Sequence, residues 1–554
     1  MEIVIGVHIN ITNSYGGSTM LSRRRALQTA VIGAATLPRF AIGQSDARPS
    51  ITVAVQKIST SATLETLREQ SNVGTRIFSS FLECPVFVDW TGGMGKIPGL
   101  ATSWRRISDT TLELTLREGV RFHNGETLTA EDVAFSFGAD RMWGGTSADG
   151  RGMFVSTTAG AATKLPPPEA AAIAKASFPG FDRIEIVNRN TVRFVNKTPD
   201  VTIEARLTRN TAAIISGRAF ADAPSWLDWA RKPVGTGPYK VRLYRPDQDL
   251  VLDAHDEYWG GRPPLKSIRF VEVPDVSARV NGLLAGDYDF AADLPPDQIG
   301  AVEANPRYQV VGGKINNIRI SVWDKFNPAL ANPLVRRALT HAVDRQSIVD
   351  ALWQGRTEVP RGMQWEFYGD MYLADWSAPK FDPALARQLL KDANYKGERI
   401  EYQLLNNYYT NQTASAQILV EGWRQVGLNV ELSMKENWGQ ILGRFPGRGI
   451  CDNSNSAWFG DPVASISSVG PGGQTWEAGQ WRNDETAAAL VALQSGTDMA
   501  LRRRAFRRIL ELVEREDPGY TVLHQNANFT GKRKDIAWKA GQSFVMNFGP
   551  GNWG

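Results

Sequence analysis

Cysteine and histidine are scarce in this chain. Cys84 and Cys451 are the only cysteines among 554 residues and lie far apart, which excludes a disulfide framework and leaves either one mutual disulfide or two buried thiols. CxxC and CxxH pairs are absent, and His8, His123, His255, His341 and His524 are scattered without ligand spacing. No structural zinc and no other cofactor is therefore expected. Beyond residue 43 no stretch approaches the roughly 20 apolar residues that a membrane helix needs. Excess charge is also small. The formal net charge is +4, and residues 1–43 hold Arg23, Arg24, Arg25 and Arg39 against Glu2, so removing them takes away three charges and leaves about +1. That is too little for a nucleic-acid or membrane-surface footprint. Motifs for chemistry are missing too: there is no GxGxxG after a strand, no GxxxxGK[ST], no GxSxG and no HExxH. The glycine-rich run from Gly92 to Gly99 lacks a hydroxyl residue after Lys96, and nothing marks the chain as an enzyme.

What is present is an ordinary globular composition, 42% hydrophobic and 22% charged, with ample apolar material for a packed core. The N-terminus carries the sharpest local signal. Ser22, Arg23, Arg24 and Arg25 precede an uncharged, largely apolar run from Ala26 to Leu37, and Ala41, Ile42 and Gly43 give a small-x-small cleavage pattern. This reads as a secretory leader over residues 1–43 of the twin-arginine type. Residues 1–19 look unlike a leader, so Met20 is the expected start and Gln44 the expected mature N-terminus.

Helices and strands alternate through the remainder. Leu112, Leu114 and Leu116 face one way and Glu113, Thr115 and Arg117 the other, with Val120 and Phe122 resuming the pattern, so a half-buried strand pair is expected. Asn124-Gly125 makes a turn with positive φ, and Thr129 with Asp132 caps a helix. The run Pro233-Val-Gly-Thr-Gly-Pro-Tyr239 is a stiff loop in which Gly235 and Gly237 permit close backbone approach. Asn332-Pro333 opens a helix expected to run to Gly355, Asp382-Pro383 opens another, and Asp461-Pro462 reads as a cap with a first-turn proline. A helix ending at Gly427 leads into the strand of Leu428, Val430 and Leu432. The class is α/β, mixed α+β, with several sheets.

Seventeen tryptophans are many, and Trp365, Trp438, Trp458 and Trp476 lie beside glycine, proline or asparagine in expected loops. Each either stacks on a ligand or packs in a core.

Several blocks together resemble the extracellular solute-binding proteins of family 5, the dipeptide/oligopeptide/nickel group. They are Pro98 to Trp104, Leu116 to Gly125, Thr129 to Val133, Pro233 to Tyr239, Tyr258 to Pro263, Leu284 to Asp289, Val335 to Leu339 with Ala342 to Arg345, and Asp382 through Leu390. The resemblance implies a two-lobed periplasmic binding protein clamp, type II-like, with an extra subdomain in lobe I. Lobe I would comprise 44–272 and 525–554 with the subdomain at about 90–215, lobe II would be 273–524, and hinges would lie near Val273 to Asp275 and Leu523 to Gln525. It further implies a monomeric periplasmic receptor that captures a peptide or other small organic solute by lobe closure, then delivers it to an ABC permease and, through that, an ATPase. A sensory receptor feeding a chemoreceptor or histidine kinase is the alternative.

In peptide-binding relatives an acid just before the Asp-Pro pair meets the peptide's ammonium. Trp458 stands about there in this chain, so binding of ordinary dipeptides through that contact is doubtful. The expected ligand-binding residues are Trp458, Phe459, Asp461, Trp365, Asn406 and Tyr408. For Asp461 the competing reading is a helix cap, and for Trp458 and Phe459 it is the lobe II core.

Overall fold

The computed structural model describes residues 46–143 and 164–553, and Ala47–Gly554 forms one compact unit. The leader, with Met20 and the arginine cluster, lies outside the described residues.

Two long strands, Tyr308–Trp323 and Tyr520–Arg533, dominate the architecture. They pair antiparallel along most of their length, with register shifts between Lys314 and Ile318 and again before Ile320. On one side Tyr308–Trp323 pairs with Ile450–Ser456, which leads through Ile400–Leu405 to the edge strand Val430–Lys435. On the other side Tyr520–Arg533 pairs with Phe290–Ala291, which continues through Ser50–Val55, Ser267–Glu272 and Asp249–Ala254 to Tyr239–Arg245. The ten strands share one hydrogen-bonded sheet, but the cores are separate. One gathers residues from Ile51 to Ala292 with Ile536 to Phe548, and others gather residues from Ile318 to Leu523, joined by Ala205 from the N-terminal half. A smaller one, around Val280, Ile299 and Phe529, sits beside the long strands.

Local chemistry explains most of these elements. Leu112, Leu114 and Leu116 are buried on one face of Thr111–Leu116. The partner strand is Ala101–Ser108, and Val120 and Phe122, though fully buried, lie in a loop rather than in a second strand. Thr191–Asn196 and Phe181–Asn188 complete a separate four-stranded sheet. Gly125 has φ +88, and the Asp132 carboxylate accepts from the Thr129 amide at 2.9 Å at the start of Ala130–Ser136. At Gly235 a Cβ would fall 2.3 Å from the Phe81 carbonyl oxygen, and at Gly237 one would fall 2.7 Å from Phe81 Cα, so only glycine lets loop 233–239 lie against that backbone.

The helix opened by Asn332 and Pro333 is shorter than its periodicity suggests. It ends at His341, and Asp344 starts a second helix, Arg345–Trp353, by accepting from the Ser347 amide at 3.1 Å. A side-chain cap competing with the helix backbone breaks the run.

Candidate ligand-binding cleft

A cavity of about 870 Å³ opens between the two groups of cores. From the N-terminal side it is lined by the loop around Gln56 to Asn72, the end of helix Pro168–Ser177, and Arg209. From the other side come Asn406 to Tyr409, Trp438, the strand residues Asn453 to Ser456, and Trp458.

The N-terminal wall is organised by Glu69. Its buried carboxylate accepts from the Ser59 hydroxyl at 2.5 Å, the Thr60 and Ser61 amides at 2.7 and 2.8 Å, and the Ser71 amide at 3.0 Å. These bonds hold the loop against the start of helix Asn72–Phe78. Asn72 then reaches across the cavity mouth. Its amide donates to the Tyr408 hydroxyl at 3.0 Å and its side chain to Ser454 at 3.3 Å, while Gln56 donates to the Asn407 carbonyl at 2.5 Å.

The opposite wall rests on a buried ion pair. Arg319 meets both Asp452 carboxylate oxygens at 2.5 Å, and Asp452 also accepts from the Tyr402 hydroxyl at 2.9 Å and the Gln412 side chain at 2.6 Å. The Gln412 carbonyl oxygen in turn accepts from the Tyr408 and Tyr409 amides at 2.6 and 3.2 Å, and the Arg319 guanidinium lies 3.6 Å from the Tyr409 ring centre. Tyr408 packs edge-on to Trp438 at 5.1 Å. Burial raises both tyrosine hydroxyls, with Arg319 partly opposing this at Tyr409, which reaches about 12. Both therefore stay protonated and can donate as well as accept.

Of the six expected residues, Trp458, Asn406 and Tyr408 line the cavity. The other three do not. Phe459 is 2% exposed and belongs to the core beneath, because adjacent residues at this turn point to opposite sides. Trp365 is 7% exposed and stacks on Phe367 at 5.4 Å in the same core. Asp461 accepts from the Val463 amide at 3.0 Å and pairs with Arg502 at 2.6 Å, so it acts as a cap and an ion-pair partner. Sequence reasoning assigned no role to Asn72 or Ser454, whose only signal is polarity, and left Trp438 open between ligand stacking and core packing without counting it among the six. The segment Asp452 to Ser456, a run of short polar side chains of the kind that fills loops, is a strand whose polar side chains are satisfied sideways: Asn317 donates to Ser454 at 3.1 Å and to Ser456 at 2.7 Å.

Cys84 and Cys451 are both free and buried, and burial pushes each thiol up to about 12. Among the described residues no group of three or more His, Cys, Asp or Glu could hold a metal ion, and no helix is long and apolar enough to cross a membrane.

Two α/β halves joined by crossing strands, with a cavity lined from both, define a two-lobed solute-binding clamp of mixed α+β class. The chain belongs to the bacterial extracellular solute-binding proteins, family 5, whose family model matches residues 96–475. It is 26% identical over 469 residues to heme-binding protein A of Haemophilus influenzae, covering 77% of this chain and 78% of that one. It is 28% identical over 378 residues to the dipeptide-binding protein of Escherichia coli, covering 63% and 65%. Among solved structures, the dipeptide-binding protein of Pseudoalteromonas sp. SM9913 in complex with Met-Leu superposes with a TM-score of 0.78 at 19% identity, covering 90% of this chain and 98% of that one. NikA of Staphylococcus aureus in complex with Ni(L-His)2 gives 0.74 at 18%, with the same coverage. These relatives are solute-binding proteins, and this chain is a receptor of that kind.

Proposed function

We propose that this protein captures a small organic solute between its lobes in the periplasm and presents the closed form to an inner-membrane ABC permease coupled to an ATPase. The observation that carries this reading is the 870 Å³ cavity lined from both halves, a volume in the range of small-molecule sites. Closure of two lobes about a hinge buries the solute and changes the outer surface that a permease reads. The sheet connectivity favours a first crossing later than Val273. Phe290–Ala291 pairs with Ser50–Val55, and helices Val276–Ala285 and Pro296–Glu303 pack with that half, so we place the crossing inside Tyr308–Trp323 at the register break near residues 314–318. The four-stranded sheet from Ala101 to Asn196 fits the extra subdomain of lobe I.

Trp458 offers an aromatic face, and its Nε1 donor, where peptide-binding relatives are expected to hold an acid. An ammonium left there without a counter-charge would cost several kcal/mol. We therefore favour a solute with a planar or apolar portion against Trp458 over an ordinary dipeptide held by its amino terminus. Native mass spectrometry of protein purified from its own host is expected to reveal a retained small-molecule adduct that leaves, chemically unchanged, on unfolding. Turnover of the adduct would overturn the receptor reading. With that solute, Trp458→Ala is expected to weaken binding by about 1–3 kcal/mol, roughly ten- to hundredfold, while the melting point of the unliganded protein stays nearly unchanged. An unstable apo variant with normal affinity would return Trp458 to the core.

For export we favour the twin-arginine route, motivated by Arg23 and Arg24 and the apolar run that follows. Changing both arginines to lysine is expected to leave precursor in the cytoplasm, and undiminished export of that variant would exclude the route.

A further inference from the structure

The two lobes also touch away from the crossing strands and the Asn72 contacts, at a short segment of the N-terminal half. The one-turn helix Ile203–Arg206 divides its residues between two cores. Ile203 is 1% exposed in the core of its own lobe, whereas Ala205 is 7% exposed and belongs to the core of the opposite lobe, the one that holds Phe459 and Leu493. Just before this helix the Val201 amide donates to the Gln494 carbonyl at 2.9 Å, and the Gln494 side chain donates to the Asp200 carboxylate at 3.4 Å. Gln494 lies at the end of helix Asp484–Ser495 in that opposite lobe.

The bonds that shape this segment come from its own lobe. One Asp200 carboxylate oxygen accepts from Arg206 Nε at 2.6 Å, and the other accepts from the Thr202 amide and hydroxyl at 2.7 and 2.6 Å. Arg106, on the four-stranded sheet, donates to the Asp200 carbonyl at 2.9 Å and to the Glu204 carboxylate at 3.0 Å, and Arg206 donates to the Ser177 carbonyl at 3.1 Å. Segment 200–206 is therefore a preformed knob that keeps its shape when the lobes separate. Its contact with the other lobe is small: one buried methyl group, one backbone hydrogen bond and one long side-chain bond. Only a side chain as short as alanine lets the helix backbone come this close, so a larger one would hold the lobes apart. Asp200, Val201, Ala205 and Gln494 all lie outside the cavity lining, and their contacts join protein to protein, so they form without a solute. The cavity wall is close by, because Ser177, which the knob holds, lines it.

We propose that segment 200–206 is a clasp: seated against the opposite lobe through Ala205 and Val201, it stabilises the closed clamp from within the protein, whether or not a solute fills the cavity. Burial of one methyl group together with one net hydrogen bond favours closure about tenfold. A solute that binds the closed form then meets a site already assembled, and its apparent affinity is not reduced by the fraction of open protein. Release in turn requires the knob to leave its seat. The proposal rests on the reading of the protein as a two-lobed clamp that opens and closes.

The test measures the separation of the lobes in the full mature chain, freed of retained solute by unfolding in guanidinium and refolding. Nitroxide labels on Asp109→Cys and Val491→Cys, one exposed position on each lobe, report that separation by double electron–electron resonance, and the buried Cys84 and Cys451 stay unlabelled. With Ala205 in place, one predominant short separation is expected. Ala205→Leu, which overpacks the seat, should shift the closed-to-open ratio about tenfold toward a longer separation, and Ala205→Arg, which would bury an unpaired cation on closing, about hundredfold. A long separation already present with Ala205, and changed by neither substitution, would overturn the clasp and leave the clamp standing. A short separation that neither substitution moves would overturn the clasp too. The clamp would fall with it if adding Asn72→Ala to Ala205→Arg, which removes the side-chain contact with Ser454 as well, still left the distance unchanged. Melting temperatures separate opening from misfolding. Both Ala205 variants should melt close to the parent chain, whereas failure of both to fold would make Ala205 part of one continuous core and overturn the clasp.

Discussion

Asp452→Ala is expected to lower the unfolding free energy by about 3–5 kcal/mol, the usual consequence of stranding one member of a buried ion pair. The Asp452 and Arg319 side chains are 1% and 3% exposed, so solvent cannot replace the lost partner. Arg319 would keep only the Asn453 carbonyl, at 2.7 Å, and the face of the Tyr409 ring. The loss spreads toward the cleft. Gln412 is tied to Asp452 through its amide nitrogen and to Tyr408 and Tyr409 through its carbonyl oxygen, so the same substitution should loosen the aromatic wall and weaken solute binding. Chemical denaturation at neutral pH measures the first effect. A loss below about 1 kcal/mol would show that the pair is solvated, since exposed pairs are worth no more than that. The double variant Arg319→Met with Asp452→Leu should recover much of the deficit, because replacing both charges removes the desolvation cost as well as the attraction.

This ion pair also shows where reading the sequence stops. Asp452 to Ser456 is a run of short polar side chains, which locally signals a loop. It forms a strand because Asn317 and Arg319 of the neighbouring strand satisfy those side chains, and that pairing spans more than a hundred residues. Elements whose cause is local were legible: the alternating leucines of Thr111–Leu116, the caps at Asn332 and Asp382, and the glycines that let loop 233–239 meet Phe81. The split at Asp344 was hidden because the apolar spacing continues through it, and only the side-chain cap marks the break.

The site divides in the same way. Trp365, Trp438 and Trp458 have similar loop-like surroundings in sequence, yet the first is stacked in a core and the other two line the cavity. What separates them is the layer each loop faces, a tertiary property. Phe459 and Trp458 are neighbours with opposite fates for a simpler reason, since one residue's advance along an extended turn reverses the side.

A second large effect is expected on acidification. His524 is 1% exposed and packs against Trp353 at 5.1 Å, and the His123 and His255 rings meet edge-on at 5.1 Å with one nitrogen of each donating to the Gly237 carbonyl. Burial pulls His123 and His524 down to about 3 from the ordinary 6.5, and lowers His255 as well. The sign follows from where the protons go. Between pH 6.5 and about 3 the unfolded chain binds protons at these positions that the folded chain refuses, so the stability they contribute is complete above pH 6.5 and is lost as the pH falls. Each such histidine contributes a slope of about 1.4 kcal/mol per pH unit. Glu83 works in the opposite sense. Burial raises its carboxyl to about 7, so it takes up a proton in the folded state before the unfolded chain does, and between pH 7 and 4.5 it offsets roughly one histidine. Total stability against pH therefore mixes both signs, and the informative quantity is a difference between two proteins. Relative to wild type, His524→Gln should flatten the decline by about 1.4 kcal/mol per pH unit between pH 6 and 4, a gap of roughly 3 kcal/mol over that interval. Urea unfolding of both proteins at several pH values measures it directly. Parallel curves would mean that His524 is protonated in the folded protein, which its place against Trp353 does not allow.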